Sequence, residues 1–191
     1  MELAPDNLSV APSGQRNGFL SPERIIESLG LHTRMVIADF GAGVGYFTIP
    51  MARTVGHDGK IYAIDIQKDA LNLIKSKAKL QHLLNIEFVW ADLELPNGSK
   101  LRGDSVDFVL IANILFQAGQ KENVVNEAFR VLKPGGTLAF FEWDQSNFSA
   151  GPPLELRVSP TEARAIAKNA GLAFEREFNA GSHHYGFLFK K

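Results

Sequence analysis

Met35-Val36-Ile37-Ala38-Asp39-Phe40-Gly41-Ala42-Gly43-Val44-Gly45 is the stretch that decides the fold. Met35 to Ala38 is an apolar run too short for a helix, and it leads directly into a turn with glycine at every second position. Such a run reads as a buried strand. The glycines that follow lack β-carbons, so a ligand can approach their backbone closely. A helix is predicted next, over residues 45 to 55, and its first N–H groups would face whatever sits at the turn.

Outward from this unit the pattern alternates. Strands are expected at Lys60 to Ile64, Ile86 to Trp90, Val106 to Ala112 and Gly136 to Phe141, with helices at Lys68 to Gln81 and Lys121 to Leu132. Lys133-Pro134-Gly135-Gly136 reads as a breaker before the fifth strand. Strands alternating with helices imply crossover connections and a mainly parallel sheet. Ser159-Pro160-Thr161-Glu162 opens a further helix that Gly171 closes. Two strand-like runs follow, Leu172 to Phe178 and Tyr185 to Lys190, joined by so short a connection that they must form a hairpin. The expected fold is therefore α/β: a Rossmann-like, doubly wound, mainly parallel seven-stranded sheet with a reversed C-terminal strand. Upstream, Ser21-Pro22-Glu23 looks like a helix start and Gly30 its end. Residues 1 to 18 read as an irregular arm, and residues 19 to 191 as one domain.

Composition narrows the class of partner. The chain carries 20 basic and 21 acidic residues, without the basic excess that replaces phosphate counterions, so nucleic acid is a disfavoured partner. It has no cysteine, which excludes disulfides, thiolate catalysis and Cys-ligated zinc. No apolar run is long enough for a membrane span, and Met1-Glu2-Leu3-Ala4-Pro5-Asp6 lacks the order of a signal peptide. A cytoplasmic protein acting on a small molecule is expected, with no metal site.

In an open α/β sheet ligands bind beyond the carboxyl ends of the strands. The first strand ends in Asp39 and the Gly41, Ala42, Gly43, Gly45 turn, and the second in Asp65, a carboxylate placed to accept two ribose hydroxyls. The third is followed by Asp92 and Leu93, suited to the edge of an adenine, and the fourth by Asn113. Any one of these could be a plain turn or cap residue. Together they supply, strand by strand, what a nucleoside needs. The dinucleotide fingerprint wants glycine where this chain has Tyr46, and the Asp39 carboxylate would repel a pyrophosphate while suiting a positively charged amino-acid end. S-adenosylmethionine is favoured over NAD or FAD.

Asp39-Phe40-Gly41-Ala42-Gly43-Val44-Gly45, Ile64-Asp65-Ile66, Ala91-Asp92-Leu93 and Arg130-Val131-Leu132-Lys133-Pro134-Gly135-Gly136 resemble the successive motifs of the class I S-adenosylmethionine-dependent methyltransferases, in the branch of the ubiquinone and menaquinone C-methyltransferases. The resemblance covers roughly residues 20 to 145. It implies that Asp39 and the glycine turn hold the methionine part and Asp65 the ribose. Ile66 would pack on the adenine, Asp92 and Leu93 would read its edge, and Asn113 would lie near the amino-acid end. A non-catalytic S-adenosylmethionine-binding protein and a nicotinamide-dependent oxidoreductase are the competing readings.

Methyl transfer needs alignment and dryness more than a dedicated base, so no catalytic residue is named. Glu142, Asp144, His183, His184 and Tyr185 are the titratable groups near strand ends, each more readily explained as exposed or structural. Phe116 and Phe148 are candidates to line an apolar acceptor site. The arm before Phe19 and the segment Asp144 to Val158 are expected to form a mobile lid.

Overall fold

The computed structural model describes residues 21–146 and 151–191. The expected arm at 1 to 18, Phe148 and part of the expected lid lie outside the described residues. Helix α1 (Pro22–Ser28) is capped by Ser21, whose hydroxyl accepts from the Arg24 N–H at 3.4 Å, and Pro22 occupies its first turn. The chain then runs through β1 (Val36–Phe40), α2 (Thr48–Val55), β2 (Lys60–Asp65), α3 (Lys68–Leu80) and β3 (Ile86–Trp90). It continues through β4 (Val106–Ala112), α4 (Lys121–Val131), β5 (Leu132–Trp143), α5 (Pro160–Asn169), β6 (Ala173–Phe178) and β7 (His184–Lys190).

The seven strands form one sheet in the order β3-β2-β1-β4-β5-β7-β6. β1 pairs in parallel with β2 on one side and β4 on the other, while β7 runs antiparallel to both β5 and β6. Strand order therefore reverses between β1 and β4. That is the switch point where a crevice opens at the carboxyl ends.

Alternation along the central strands explains their continuous apolar character. Val109 and Ile111 of β4 face the cluster built on α4 and α5, whereas Phe108 and Leu110 face the cluster built on α1 and α2. A strand buried on both faces needs apolar side chains at every position. A smaller cluster joins Leu71, Ile74 and Ala78 of α3 to Ala63 of β2. No helix among the described residues is long and apolar enough to cross a membrane.

Two local expectations are corrected. The segment Lys133-Pro134-Gly135-Gly136 does not separate α4 from β5, because the strand already begins at Leu132 and pairs with Val106. The register then jumps so that Phe108 meets Thr137, which bulges the proline and glycines out of the ladder. Lys191 secures that bulge: its carbonyl accepts from the Gly135 N–H at 3.0 Å. Helix α2 likewise starts at Thr48 rather than at residue 45. Gly45 has φ +82°, outside the helical region, so the turn extends to Phe47.

Candidate active site

The ends of β1, β2, β3 and β4 surround a cleft of about 690 Å3. Its lining includes Asp39, Gly41, Ala42, Gly43, Asp65, Ile66, Asp92, Leu93 and Asn113, so nine of the ten sequence candidates share one cavity. A volume of this size suits a cofactor. The exception is Gly45. A β-carbon there would stand 3.0 Å from Ile74 Cγ1, so Gly45 serves the close packing of α3 instead of facing the cleft.

The glycines divide the work of the turn. At Gly41, with φ +72°, a β-carbon would fall 2.3 Å from Ile114 Cγ2, so this residue lets the loop after β4 close over the end of β1. At Gly43 a β-carbon would meet nothing nearer than the Gly41 carbonyl at 3.9 Å. Gly43 thus leaves an open cradle in the cleft.

Asp39 is buried, at 2% exposure, and accepts a hydrogen bond from the Thr48 hydroxyl. Burial pushes its carboxyl up to about 7, and the nearby Asp65 adds to the rise, against the opposing effect of the Thr48 hydrogen bond. An acid so placed is ready for a cation. Asp65 accepts the Gly43 N–H on Oδ2 and the Gln67 N–H on Oδ1, each at 2.8 Å. The carboxylate that ends β2 therefore also braces the glycine turn that ends β1. Each oxygen has a second lone pair, so accepting hydroxyls from a ligand remains open to it.

Ile66 is 60% exposed, an apolar side chain that no core contact explains and that forms one wall of the cleft. In the same lining, Asp92 accepts the Glu94 N–H on Oδ1 at 2.9 Å, while Leu93 is buried. The loop returns tightly at Gly98, where a β-carbon would lie 2.0 Å from the Asp92 carbonyl oxygen. Asn113 adopts φ +56°, and among the described residues its buried side-chain Oδ1 has no hydrogen-bond partner. Buried carbonyl oxygens are nearly always satisfied, and this one belongs to a residue that lines the cleft.

The titratable strand-end groups separate cleanly. Glu142 is a brace: its Oε1 accepts the Ile114 and Leu115 N–H groups at 3.1 and 3.0 Å, which sets the loop carrying Asn113. Burial pushes its carboxyl up to about 7 despite those two donors. Asp144 accepts from the Ser146 N–H and hydroxyl, and the Tyr185 hydroxyl donates to the Val158 carbonyl at 3.0 Å. His184 differs, because it lines a second pocket of about 250 Å3 beside the cleft. Burial pushes its imidazole down to about 4, outweighing the pull of Asp144, so it is neutral near pH 7.

That second pocket was not foreseen. Tyr46, Phe47, Phe141 and Trp143 form its aromatic walls, and Asn113 is common to both cavities. Phe116 falls in the short 3-10 turn Leu115–Gln117 and lines neither. The described part of the expected lid is tied down. Arg157, only 7% exposed, donates to the carbonyls of Pro152, Asp144 and Ser146 at 2.9 to 3.0 Å. Gly151 sits flat on the Trp143 indole, where a β-carbon would be 2.9 Å from three ring atoms.

Residues 31–179 match the family model of a methyltransferase domain. The chain is 29% identical over 152 residues to a ubiquinone/menaquinone biosynthesis C-methyltransferase of Erwinia tasmaniensis, covering 76% of this chain and 59% of that protein. It is 32% identical over 120 residues to a demethylmenaquinone methyltransferase of Lactococcus lactis, covering 62% of this chain and 46% of that one. The chain thus spans about half to three fifths of the length of these curated relatives. A SAM-dependent methyltransferase from Aquifex aeolicus superposes with a TM-score of 0.80 at 29% identity, over 90% of this chain and 89% of that one. The [4+2]-cyclase SpnF shares the fold alone, with a TM-score of 0.71 at 19% identity over 83% of this chain and 58% of that one. With a family model that matches most of its length and a nucleoside-sized cleft at the switch point of its sheet, the chain belongs to the methyltransferase domain family, among the class I S-adenosylmethionine-dependent enzymes.

Proposed function

We propose that the larger cleft binds S-adenosylmethionine and that the protein passes its methyl group to a small-molecule acceptor entering from the β4–β5 side. The observation that carries this reading is the convergence of Asp39, Asp65, Asp92 and Asn113, from four successive strand ends, on one cleft. In it Asp39 and Asn113 hold the charged amino-acid end, with the Gly41 to Gly43 backbone beside it. Asp65 accepts the ribose hydroxyls, Ile66 lies on the adenine, and Asp92 with the Leu93 backbone meets the edge of that ring. The sulfonium of the donor already activates the methyl carbon, so the chain's own residues contribute alignment and the exclusion of water. The relatives named above are quinone-pathway enzymes, and a ring-bearing acceptor is consistent with the aromatic walls beside the cleft. A cytoplasmic setting belongs to this reading and rests on the cysteine-free, charge-balanced sequence.

Thermal melting with S-adenosylhomocysteine tests the proposal. A ligand at about 100 times its Kd stabilises the folded state by roughly 2.7 kcal/mol, which for a domain of this size raises Tm by about 5 to 10 °C. An unchanged Tm at saturating ligand would refute the cofactor assignment.

A further inference from the structure

The bulged segment Lys133-Pro134-Gly135-Gly136, which takes no part in the cleft at the carboxyl ends, borders a cavity at the other end of the sheet. That cavity measures about 700 Å3 and shares no lining residue with the cleft. It lies beyond the amino ends of β1 and β4, between the end of α1 and the paired β6 and β7. Phe108 pairs with Thr137, Thr137 with Lys190, and Leu188 with Arg176, so these five residues stand on one face of the sheet, the face that α1 covers. Two glycines border open space there. A β-carbon at Gly30 (φ +72°) or at Gly135 (φ +79°) would meet nothing within 4 Å.

Charge gathers in this cavity. Arg34, Lys133, Arg176 and Lys190 line it, against the two carboxylates Asp107 and Glu175. Asp107 pairs with Lys133 at 2.6 Å and accepts the Val36 N–H on its other oxygen at 2.8 Å. Among the described residues no ion pair reaches Arg176 or Lys190. Neutral oxygens hold them instead: Arg176 donates to the Ser28 carbonyl and Lys190 to the Thr137 hydroxyl, each at 2.7 Å. A guanidinium has five N–H groups and an ammonium three, so both keep donors in hand. Arg34 meets Asp58, which does not line the cavity, at 4.0 Å, and it holds φ +71°, a conformation that residues with a side chain rarely adopt. Strain of this kind gathers at ligand clamps. Four cations against two carboxylates leave two positive charges in excess, on a chain whose net charge is −1. An anion relieves their mutual repulsion.

We propose that this cavity is a second ligand site, one that binds a diphosphate group on Arg176 and Lys190. Arg176 faces Leu188 across the β6–β7 pair and Lys190 follows on the same face, so the two stand diagonally at roughly 7 Å, within reach of one pair of linked phosphates. Arg176 supplies a planar fork that matches two phosphate oxygens, and Lys190 a point charge. The volume has room for the diphosphate alone or carried on a nucleoside. This site does not depend on the cofactor assignment, since the two cavities have no residue in common.

Pyrophosphate titrated into the full chain tests the proposal. It should shift the backbone N–H signals of Gly30, Gly135 and Gly136 in an NMR spectrum, saturating with a Kd of about 1 mM or below, and leave those of Gly41 and Gly43 in place. ADP separates the two sources: binding about tenfold tighter than pyrophosphate marks a nucleotide site, and equal or weaker binding a site for the free anion. Adenosine, which lacks the charge, should leave the three signals unmoved. Lys190→Met and Arg176→Gln should each weaken pyrophosphate by about 10- to 100-fold, and Arg176→Lys, which keeps the charge without the fork, by less. Lys75→Met, at an exposed position of α3, should leave the Kd unchanged. A side chain that only braced the fold would lower Tm and leave the Kd of the folded protein as it was. Four results overturn the proposal: no saturable shift at the three glycines, a shift there with adenosine equal to that with ADP, equal weakening by Lys75→Met and Lys190→Met, or an unaltered Kd in folded Lys190→Met and Arg176→Gln. Each leaves the cofactor reading intact, because S-adenosylhomocysteine binding is measured at the other end of the sheet.

Discussion

Replacing Asp39 by Asn should make the ligand-free protein more stable at neutral pH while weakening its hold on the cofactor. In the folded chain the Asp39 carboxyl is raised from 3.8 to about 7, chiefly by burial. The folded state therefore keeps a proton there that the unfolded state has already lost between about pH 4 and pH 7, and stability falls as pH rises across that window. Above about pH 7 both states are ionised and the dependence ends. A rise of about three units corresponds to roughly 4 kcal/mol, an upper bound on what the buried charge costs the empty protein. Asn retains an oxygen for the Thr48 hydroxyl and carries no charge. Wild type and Asp39→Asn should thus be about equally stable near pH 4, with the variant gaining progressively to pH 8 by up to that amount. Glu142 titrates in the same window, from 4.5 to about 7, but is present in both proteins and cancels in the difference. Urea denaturation of the two proteins across this range measures it. The cofactor's ammonium should draw Asp39 into its ionised form, so binding at pH 6 should release a proton, seen as an enthalpy that varies with the buffer. The variant should bind about 10- to 100-fold more weakly and release no proton through this group. Parallel stability curves for the two proteins, or a buffer-independent enthalpy in the wild type, would refute the account.

Asp65→Ala should weaken S-adenosylhomocysteine by roughly 10- to 100-fold in a calorimetric titration. It should also lower Tm, because the carboxylate accepts the Gly43 and Gln67 N–H groups. Gly41→Ala and Gly43→Ala should part company. Both adopt positive φ and should lose about 1 to 2 kcal/mol from backbone strain, but the first also collides with Ile114 and should be the less stable by urea denaturation. Gly43→Ala should remain folded and lose cofactor affinity, since its new methyl group enters the cleft. Arg157→Met should speed proteolytic cleavage between residues 144 and 158, where the guanidinium gathers three carbonyls; unaltered cleavage would show that other contacts fasten the segment.

Legibility in the sequence followed the range of the interactions. The β1 run with its glycine turn and the hairpin forced by a short connection are local signals, and from them the seven strands and the reversed β7 could be read. The strand-end residues Asp39, Asp65, Asp92 and Asn113 were legible because topology alone brings strand ends together. Spacing could not say which glycine faces the cleft, since Gly45 owes its role to Ile74, far along the chain. The start of β5 was misread for a similar reason: Lys133 to Gly136 look like a breaker until Lys191 is seen to hydrogen-bond Gly135. The aromatic pocket draws on α1, the turn after β1 and the ends of β5 and β7, and no periodicity links those four segments. A local hint existed in Tyr46 and Phe47, two aromatic residues directly after the glycines of a ligand-facing turn.

The order of strands in space gives the proposed site its polarity. Across the sheet the sequence is β3, β2, β1, β4, β5, β7, and the groups at their ends run from Asp92 through Asp65 and Asp39 to Asn113, then Trp143 and His184. In the proposed reading a nucleoside lies with its base over β3, its ribose over β2 and its amino-acid end over β1. The donor's methyl group then faces β4, where Asn113 borders both cavities. The chain crosses from β3 back to β4 at this point, and the loop after β4 lies over the end of β1 and is held from the end of β5. Gly41 admits Ile114 on one side and Glu142 holds the Ile114 and Leu115 N–H groups on the other. Glu142 is thus a brace: its buried carboxyl holds the loop that carries Asn113 and lines neither cavity. Its raised pKa is the energetic trace of that placement, because a carboxyl only 1% exposed beneath the loop is cut off from water.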